Sequence, residues 1–350
     1  MKRAFAIIGA SMSMALHPVE IIIGEPVTER VHEPFSVDFD ADGVLYGVEF
    51  TKANRVFMLA GGKLSFIAGR LRMSSAKTPD EDALDGEASN ALFNGMHDIA
   101  IAGRIVYIAD TFNNRIRTLD LASKTVRTLT GGSRAGYAGD GNSAENALFN
   151  QPICAVLSPD RSMLAVADIG NGRARIIDTA SRIIRTAAGT GRKGTVIEGT
   201  NAVDSPMSGV RALALAADGT LYIALREGNS LVAVRDGIVS VAVNVSGKAG
   251  YSGDGGPGRD AMLKGPKYLA MDPKGRVLIA DTENHAIRRY DPSSGVIDRI
   301  AGTPTKYGNT IGTTLLDTKL KRPHGVRIGP DNLIYVVDTE NDRILRARYE

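Results

Sequence analysis

Two of the five histidines, His97 and His324, occupy the same place in a recurring pattern, Met96-His97-Asp98-Ile99 and Pro323-His324-Gly325-Val326. An imidazole can move a proton near neutral pH or ligate a metal through a neutral ring nitrogen. Three such rings with an open fourth position hold a catalytic zinc, which would polarise a substrate oxygen or activate water. The place that would complete a triad carries Arg211, 114 residues after His97 and 113 before His324. A guanidinium has donors only and ligates no metal, but it can clamp a carboxylate through two parallel bonds. Asp98 is then the substitute ligand at hand, Tyr268 a candidate acid or base, and Lys267 a second cation. The cofactor these residues point to is a divalent metal such as zinc or calcium on His97 and His324, although two ligands fall short of a site.

Other chemistries lack their residues. The lone thiol, Cys154, forms neither an intrachain disulfide nor a cysteine zinc site, and reads as a small core residue. No Gly-x-Ser-x-Gly elbow is present. Two glycine-rich stretches, 136–141 and 250–256, each offer one carboxylate, whereas calcium takes six to eight oxygens. Asp80-Glu81-Asp82 reads as a solvated loop. The net charge of +3 is dispersed, with no basic run of five or more, so nucleic acid is not an expected partner.

The elements that must position these side chains emerge from internal periodicity. Asn150–Leu157, Lys264–Met271 and Lys321–Ile328 are copies of one another, each followed by a turn and a second apolar strand ending in Ala-Asp or Val-Asp. The repeated aspartates are Asp110, Asp168, Asp281 and Asp338, spaced by 58, 113 and 57 residues; the doubled interval hides a copy in which Leu225 replaces the aspartate. A first copy runs from Pro34 to Glu49. Six units of about 57 residues with four short strands each predict an all-β, six-bladed β-propeller of four-stranded antiparallel blades. The units start near residues 34, 96, 152, 210, 266 and 323. In the fifth, the strands are expected at Tyr268–Asp272, Val277–Asp281, Ala286–Asp291 and Val296–Ala301. The sixth ends after a third strand, Arg343–Tyr349, and its fourth is supplied by Val19–Pro26, so the N-terminal strand closes the ring and removes an open edge.

Recurrence makes the aspartates structural: each is expected to accept N–H groups of the turn that follows and to pair with Arg115, Arg173 or Arg343, five residues on. His285, inside such a turn, is expected to face solvent. The residue after each repeat's proline starts the innermost strand, which gives the ring Phe35, His97, Ile153, Arg211, Lys267 and His324, and after it Ser36, Asp98, Cys154, Ala212, Tyr268 and Gly325. This ring varies while the scaffold repeats, and variable positions on a rigid scaffold are where function sits. The glycine-rich stretches and the insertions 70–92, 191–208 and 303–321 are expected to rim the mouth of the channel.

The run Asp281-Thr282-Glu283-Asn284-His285-Ala286-Ile287 resembles the NHL repeat, and Gly136–Gly141 and Gly250–Gly256 resemble inter-blade loops of bacterial NHL propellers. The resemblance covers roughly residues 19–350 and implies the fold, which serves many roles. More narrowly, the two histidine motifs resemble those of the peptidyl-hydroxyglycine lyase domain of peptide-amidating enzymes. That resemblance implies a propeller whose channel histidines hold zinc, and Arg211 departs from it.

Hydrophobic residues at 43% and charged residues at 23% supply a packed core, and 39 glycines fit many tight turns between short strands. Met1-Lys2-Arg3, a short apolar stretch and Ser13-Met14-Ala15 read as a signal peptide over residues 1–15, which favours a periplasmic or extracellular protein. The stretch is too short to span a bilayer. Two functions remain open. One is a module that binds a small molecule, peptide or protein at the channel mouth through His97, Asp98, Arg211, Lys267, Tyr268 and His324. The other is a metal-assisted lyase or hydrolase at the same place, with a purely structural or assembly role as a third, weaker idea.

Overall fold

The computed structural model describes residues 18–26, 31–71 and 85–349; the expected signal peptide and Asp80-Glu81-Asp82 lie outside these residues. Six antiparallel sheets stand around a common axis. Their innermost strands are Pro34–Phe39, Met96–Ala102, Pro152–Leu157, Val210–Leu215, Tyr268–Met271 and Gly325–Ile328. The fifth blade continues with Val277–Asp281, Ala286–Asp291 and Val296–Ala301, within one residue of expectation. In the sixth, Glu20–Ile23 pairs antiparallel with Arg343–Arg348, so the N-terminal strand completes the last blade.

The blades bury both faces, which is why their strands read as apolar runs and not as clean alternation. Phe35, Tyr46 and Val48 of the first blade share one core with Met96, Ile99 and Val106 of the second. Each such side chain contributes roughly 1.5–3 kcal/mol on burial. At Gly325 a Cβ would lie 2.9 Å from the Phe35 carbonyl oxygen and 2.8 Å from Val337, so only glycine lets the last blade approach the first this closely.

The repeated carboxylates hold this packing at the mouth, by a different wiring from the one expected. One oxygen accepts not from a backbone N–H of the turn that follows but from the segment leading into the same blade's inner strand: Asn94, Asn150, Lys264 and Lys321 N–H donate to Asp110, Asp168, Asp281 and Asp338. The second oxygen takes the amide of the asparagine three residues on. Glu49 does the same for His32 in the first blade. The arginine partner sits five residues later only in Arg343. In three blades it is the fully buried Arg117, Arg175 or Arg288, seven residues on, at 3.7–3.9 Å. The register explains the correction, because seven residues return the chain along the third strand to the buried face beside the aspartate. Arg175 and Arg288 also tie down the insertion before their blade through its carbonyls and Asp140 or Asp254. In the fourth blade Leu225 is accompanied by Val232 at the arginine's place, so carboxylate and cation are lost together.

Neighbouring blades are joined by the turn after the second strand. Its left-handed residue offers a side-chain acceptor to the residue just before the next inner strand: Asn54 to Gly95, Asn114 to Gln151, Asn229 to Gly265, and Asp342 to Glu33. His285 is the fifth case, accepting at Nδ1 from Arg322 N–H at 3.1 Å, and it is half-buried against Tyr307. It is therefore a joint between blades, not a solvent-facing residue.

Candidate functional site: the channel mouth

A residue one to three positions before each inner strand has a left-handed backbone in all six blades: Glu33, Gly95, Gln151, Gly209, Gly265 and Arg322. For Glu33, Gln151 and Arg322 this conformation carries a steric cost that the surrounding hydrogen bonds hold in place. The kink turns the following side chains inward and produces two layers. Phe35, His97, Ile153, Arg211, Lys267 and His324 form the upper one, in contact with an open depression of about 400 Å³. Beneath it the channel narrows to about 10 Å³ among upper-layer side chains and Asp98, Cys154, Ala212 and Tyr268, room for about one water.

All six residues singled out from the sequence converge here, but not on one surface. Asp98 is 3% exposed; it accepts Ser36 Oγ at 2.7 Å, its own neighbour Ile99 N–H at 2.9 Å, Ala155 N–H at 3.1 Å, and the Cys154 thiol. Burial raises its proton affinity against these donors. Tyr268 Oη lies 3.1 Å from Ser36 Oγ, and since that hydroxyl gives its proton to Asp98, the phenol donates to it. Burial holds the Tyr268 phenol far above its ordinary value, so it is a poor proton donor in catalysis and a fixed strut in structure. Both residues plug the channel below the mouth instead of facing it.

The histidines stand in defined tautomers. His97 Nδ1 is 2.8 Å from the Gly95 carbonyl, which can only accept, so the proton is on Nδ1; Thr111 Oγ1 lies 2.9 Å away and itself donates to the Pro152 carbonyl of the next blade. His324 Nδ1 likewise donates to Arg322 O at 2.8 Å. Its Nε2 accepts from Lys267 Nζ at 3.4 Å. Burial and then Lys267, Arg211 and Arg322 push His324 well below its ordinary range, so it is neutral. Lys267 is pushed down to about 8 by burial, against the pull of Glu283 at 2.8 Å.

These groups do not fit a zinc or calcium ion. Phe35, on the blade between those of His97 and His324, packs its ring against both imidazoles, at 4.8 and 4.1 Å between centroids. The lone pair of His324 that would ligate is turned to an ammonium, and Arg211 occupies the third place. No three His, Cys, Asp or Glu side chains converge on a point among the described residues. Asp98, committed to Ser36, Ile99, Ala155 and Cys154, does not turn toward the two imidazoles as a substitute ligand.

Sequence reasoning missed the second ring of mouth residues. The turns after the second strands supply Phe50, Phe112, Ile169, Arg226 and Glu340, all lining the depression. Their signal was available: they are the variable residues in the turn that begins at the repeated carboxylate. Among the described residues no insertion lines the depression. Gly86–Glu87 and Gly256–Pro257 pair, and Ser143 and Asn201 bridge, onto the outer strand of the blade they lead into. The outer strand is the sheet edge that faces away from the channel, which leaves room for a short extra strand to find hydrogen bonds there.

Comparison with known proteins follows the same division between fold and site. The family model for the NHL repeat matches residues 263–290 and 320–346, the inner three strands of blades five and six. NHL repeat-containing protein 2 of Bos taurus is 28% identical over 297 residues, covering 76% of this chain and 40% of that protein. Protein SUPPRESSOR OF QUENCHING 1, chloroplastic, of Arabidopsis thaliana is 26% identical over 277 residues, 76% of this chain and 26% of that protein. The chain thus spans well under half the length of these curated relatives. Among solved structures, an auxiliary nutrient binding protein from Bacteroides thetaiotaomicron superposes with a TM-score of 0.67 at 15% identity, over 95% of this chain and 76% of that one. A streptogramin B lyase gives 0.53 at 13% identity, over 94% and 96%. At such identities the structures establish the fold alone.

Proposed function

We propose that this NHL-repeat propeller is a binding module whose site is the mouth of its channel, taking a small molecule or a short segment of a peptide or protein. The observation that carries this reading is the convergence of the two variable sets of positions, inner-strand starts and turn residues, on one depression of about 400 Å³. Such a volume suits a compact organic ligand. The rest of the repeat, meanwhile, is committed to holding blades together.

A metal-assisted lyase or hydrolase has less support. Tyr268 and Asp98 are withdrawn into the plug, His324 is engaged by Lys267, and the donor set does not fit a metal. The lyase among the structural relatives contributes a fold and no residue. Export fits the pattern of Met1–Ala15 and is tested by sequencing the N-terminus of the mature protein from a periplasmic or culture fraction.

The binding reading is tested by ligand-observed NMR with a fragment library against the native protein and Ile153→Trp, which fills the mouth. Fragments that bind the first and not the second support it. Binding that is the same to both proteins, or no binding to either, removes it.

A further inference from the structure

Four cations stand on the side of the mouth formed by blades four to six, and three are matched. Arg226 pairs with Glu227 at 2.8 Å, Lys267 with Glu283 at 2.8 Å, and Arg322 with Glu283 and Glu340 at 2.7 Å each. Arg211 is 8% exposed, as buried as Lys267 at 7%, and its guanidinium has no hydrogen bond or ion pair among the described residues. The carboxylate that matches Lys267 in blade five, Glu283, has its blade-four counterpart in Glu227, and Glu227 is paired with Arg226 instead. Burial and then Arg226 push Arg211 down only to about 9, so the charge persists at neutral pH. Among the described residues its donors make no bond within the protein and none of them is sealed from solvent, so they stand open to a partner that enters the mouth.

The opposite side, blades one to three, is of another character. Phe35, Phe50, His97 and Phe112 form a continuous set of ring contacts, with centroids 4.6–6.0 Å apart, and Ile153 and Ile169 extend it. Aromatic rings so arranged favour a ring or an apolar chain laid against them.

We infer that the mouth binds a ligand joining a single carboxylate to an apolar ring, the carboxylate on Arg211 and the ring against Phe35 and Phe50. A single carboxylate, rather than a dianion, matches the one uncompensated charge, because Lys267 already shares Glu283. The planar fork of the arginine suits it geometrically. This inference rests on the mouth being a binding site and adds the class of ligand.

The probes are phenylacetate, phenylacetamide, acetate and phenyl phosphate, titrated into the full chain by calorimetry or NMR at constant ionic strength. Phenylacetate is expected to bind at least about tenfold more tightly than phenylacetamide or acetate, the factor that a charge-assisted hydrogen bond supplies. Arg211→Met, confirmed folded by its circular dichroism, is expected to abolish that preference while retaining weak binding of phenylacetamide. Equal binding of acid and amide, an unchanged preference in Arg211→Met, or tighter binding of phenyl phosphate than of phenylacetate overturns the carboxylate assignment. Should Arg211→Met fold poorly, Arg211→Gln and Phe35→Leu carry the same comparison. Neutral fragments that bind the native mouth and not Ile153→Trp, with no preference for the acid, would sink this inference and leave the binding site standing. No mouth ligand of any charge would sink both.

Discussion

The Arg211 guanidinium carbon lies 6.0 Å from the centre of the Phe35 ring, so a side chain from blade four reaches across the channel to blade one, its opposite in the ring. Burial and then Arg226 disfavour the charge, Glu227 favours it without a direct bond, and a cation over a phenyl face recovers only about 0.5–2 kcal/mol.

The first prediction follows from that imbalance. Arg211→Met removes an unmatched charge and keeps an unbranched apolar stem, so the unliganded protein is expected to gain about 1 kcal/mol or more. Thermal unfolding would show this as a rise of about 1–2 °C for a chain of 350 residues. A melting temperature lower than that of the native protein would mean that Arg211 has a structural partner.

Lys267 gives a pH dependence with a definite sign. Its pKa in the folded protein is about 8, below the ordinary lysine value of 10.5, so the folded state holds fewer protons than the unfolded state between those limits. Stability contributed by this group therefore rises as pH rises from about 8 to about 10.5. Lys267→Met is expected to lose that rise in chemical denaturation measured across the window. The same deprotonation removes a charge beside Arg211, so affinity for phenylacetate is expected to fall as pH rises through about 8 in the native protein, and in Lys267→Met to fall only near about 9 and above, where Arg211 itself discharges.

Tyr268→Phe separates strut from catalyst. The variant loses only the bond to Ser36 Oγ, and it is expected to be destabilised by about 1 kcal/mol with mouth binding unchanged. Loss of ligand binding in a protein of near-native stability would return Tyr268 to the site.

The paired absence in blade four suggests a test of the repeat itself. Asp281→Leu leaves Lys264 N–H and Asn284 without their acceptor and reduces the charge around the buried Arg288. A loss of about 3 kcal/mol or more is expected. Combined with Arg288→Val, which restores the Leu225/Val232 pairing, the cost is expected to be less than the sum by about 0.5–3 kcal/mol in urea unfolding. Strict additivity would mean that the two positions do not act together.

The ring closure was legible because Glu20–Ile23 repeats the apolar pattern of other outer strands, and a missing fourth strand leaves an edge that something must cover. The arginine seven residues after each aspartate was not. Its spacing looks arbitrary until the second and third strands are paired, when Arg288 and Asp281 fall on one buried face. His285 misled for a related reason: a turn histidine looks exposed until the next blade's Arg322 N–H arrives beside it.

What the chain alone determined was periodic: six units, their strands, the residues that begin each inner strand, and the convergence of positions 97, 211, 267 and 324. Periodicity carries that information because every unit repeats the same local hydrogen-bonding problem. Depth and partnership were decided only in three dimensions. A one-residue step along an inner strand turns a side chain from the mouth into the plug, which separates His97 from Asp98 and Lys267 from Tyr268. Whether a charge is matched depends on which turn side chains fold back beside it: Glu283 reaches Lys267 from the turn after the second strand, whereas Glu227 goes to Arg226 and leaves Arg211 unpaired.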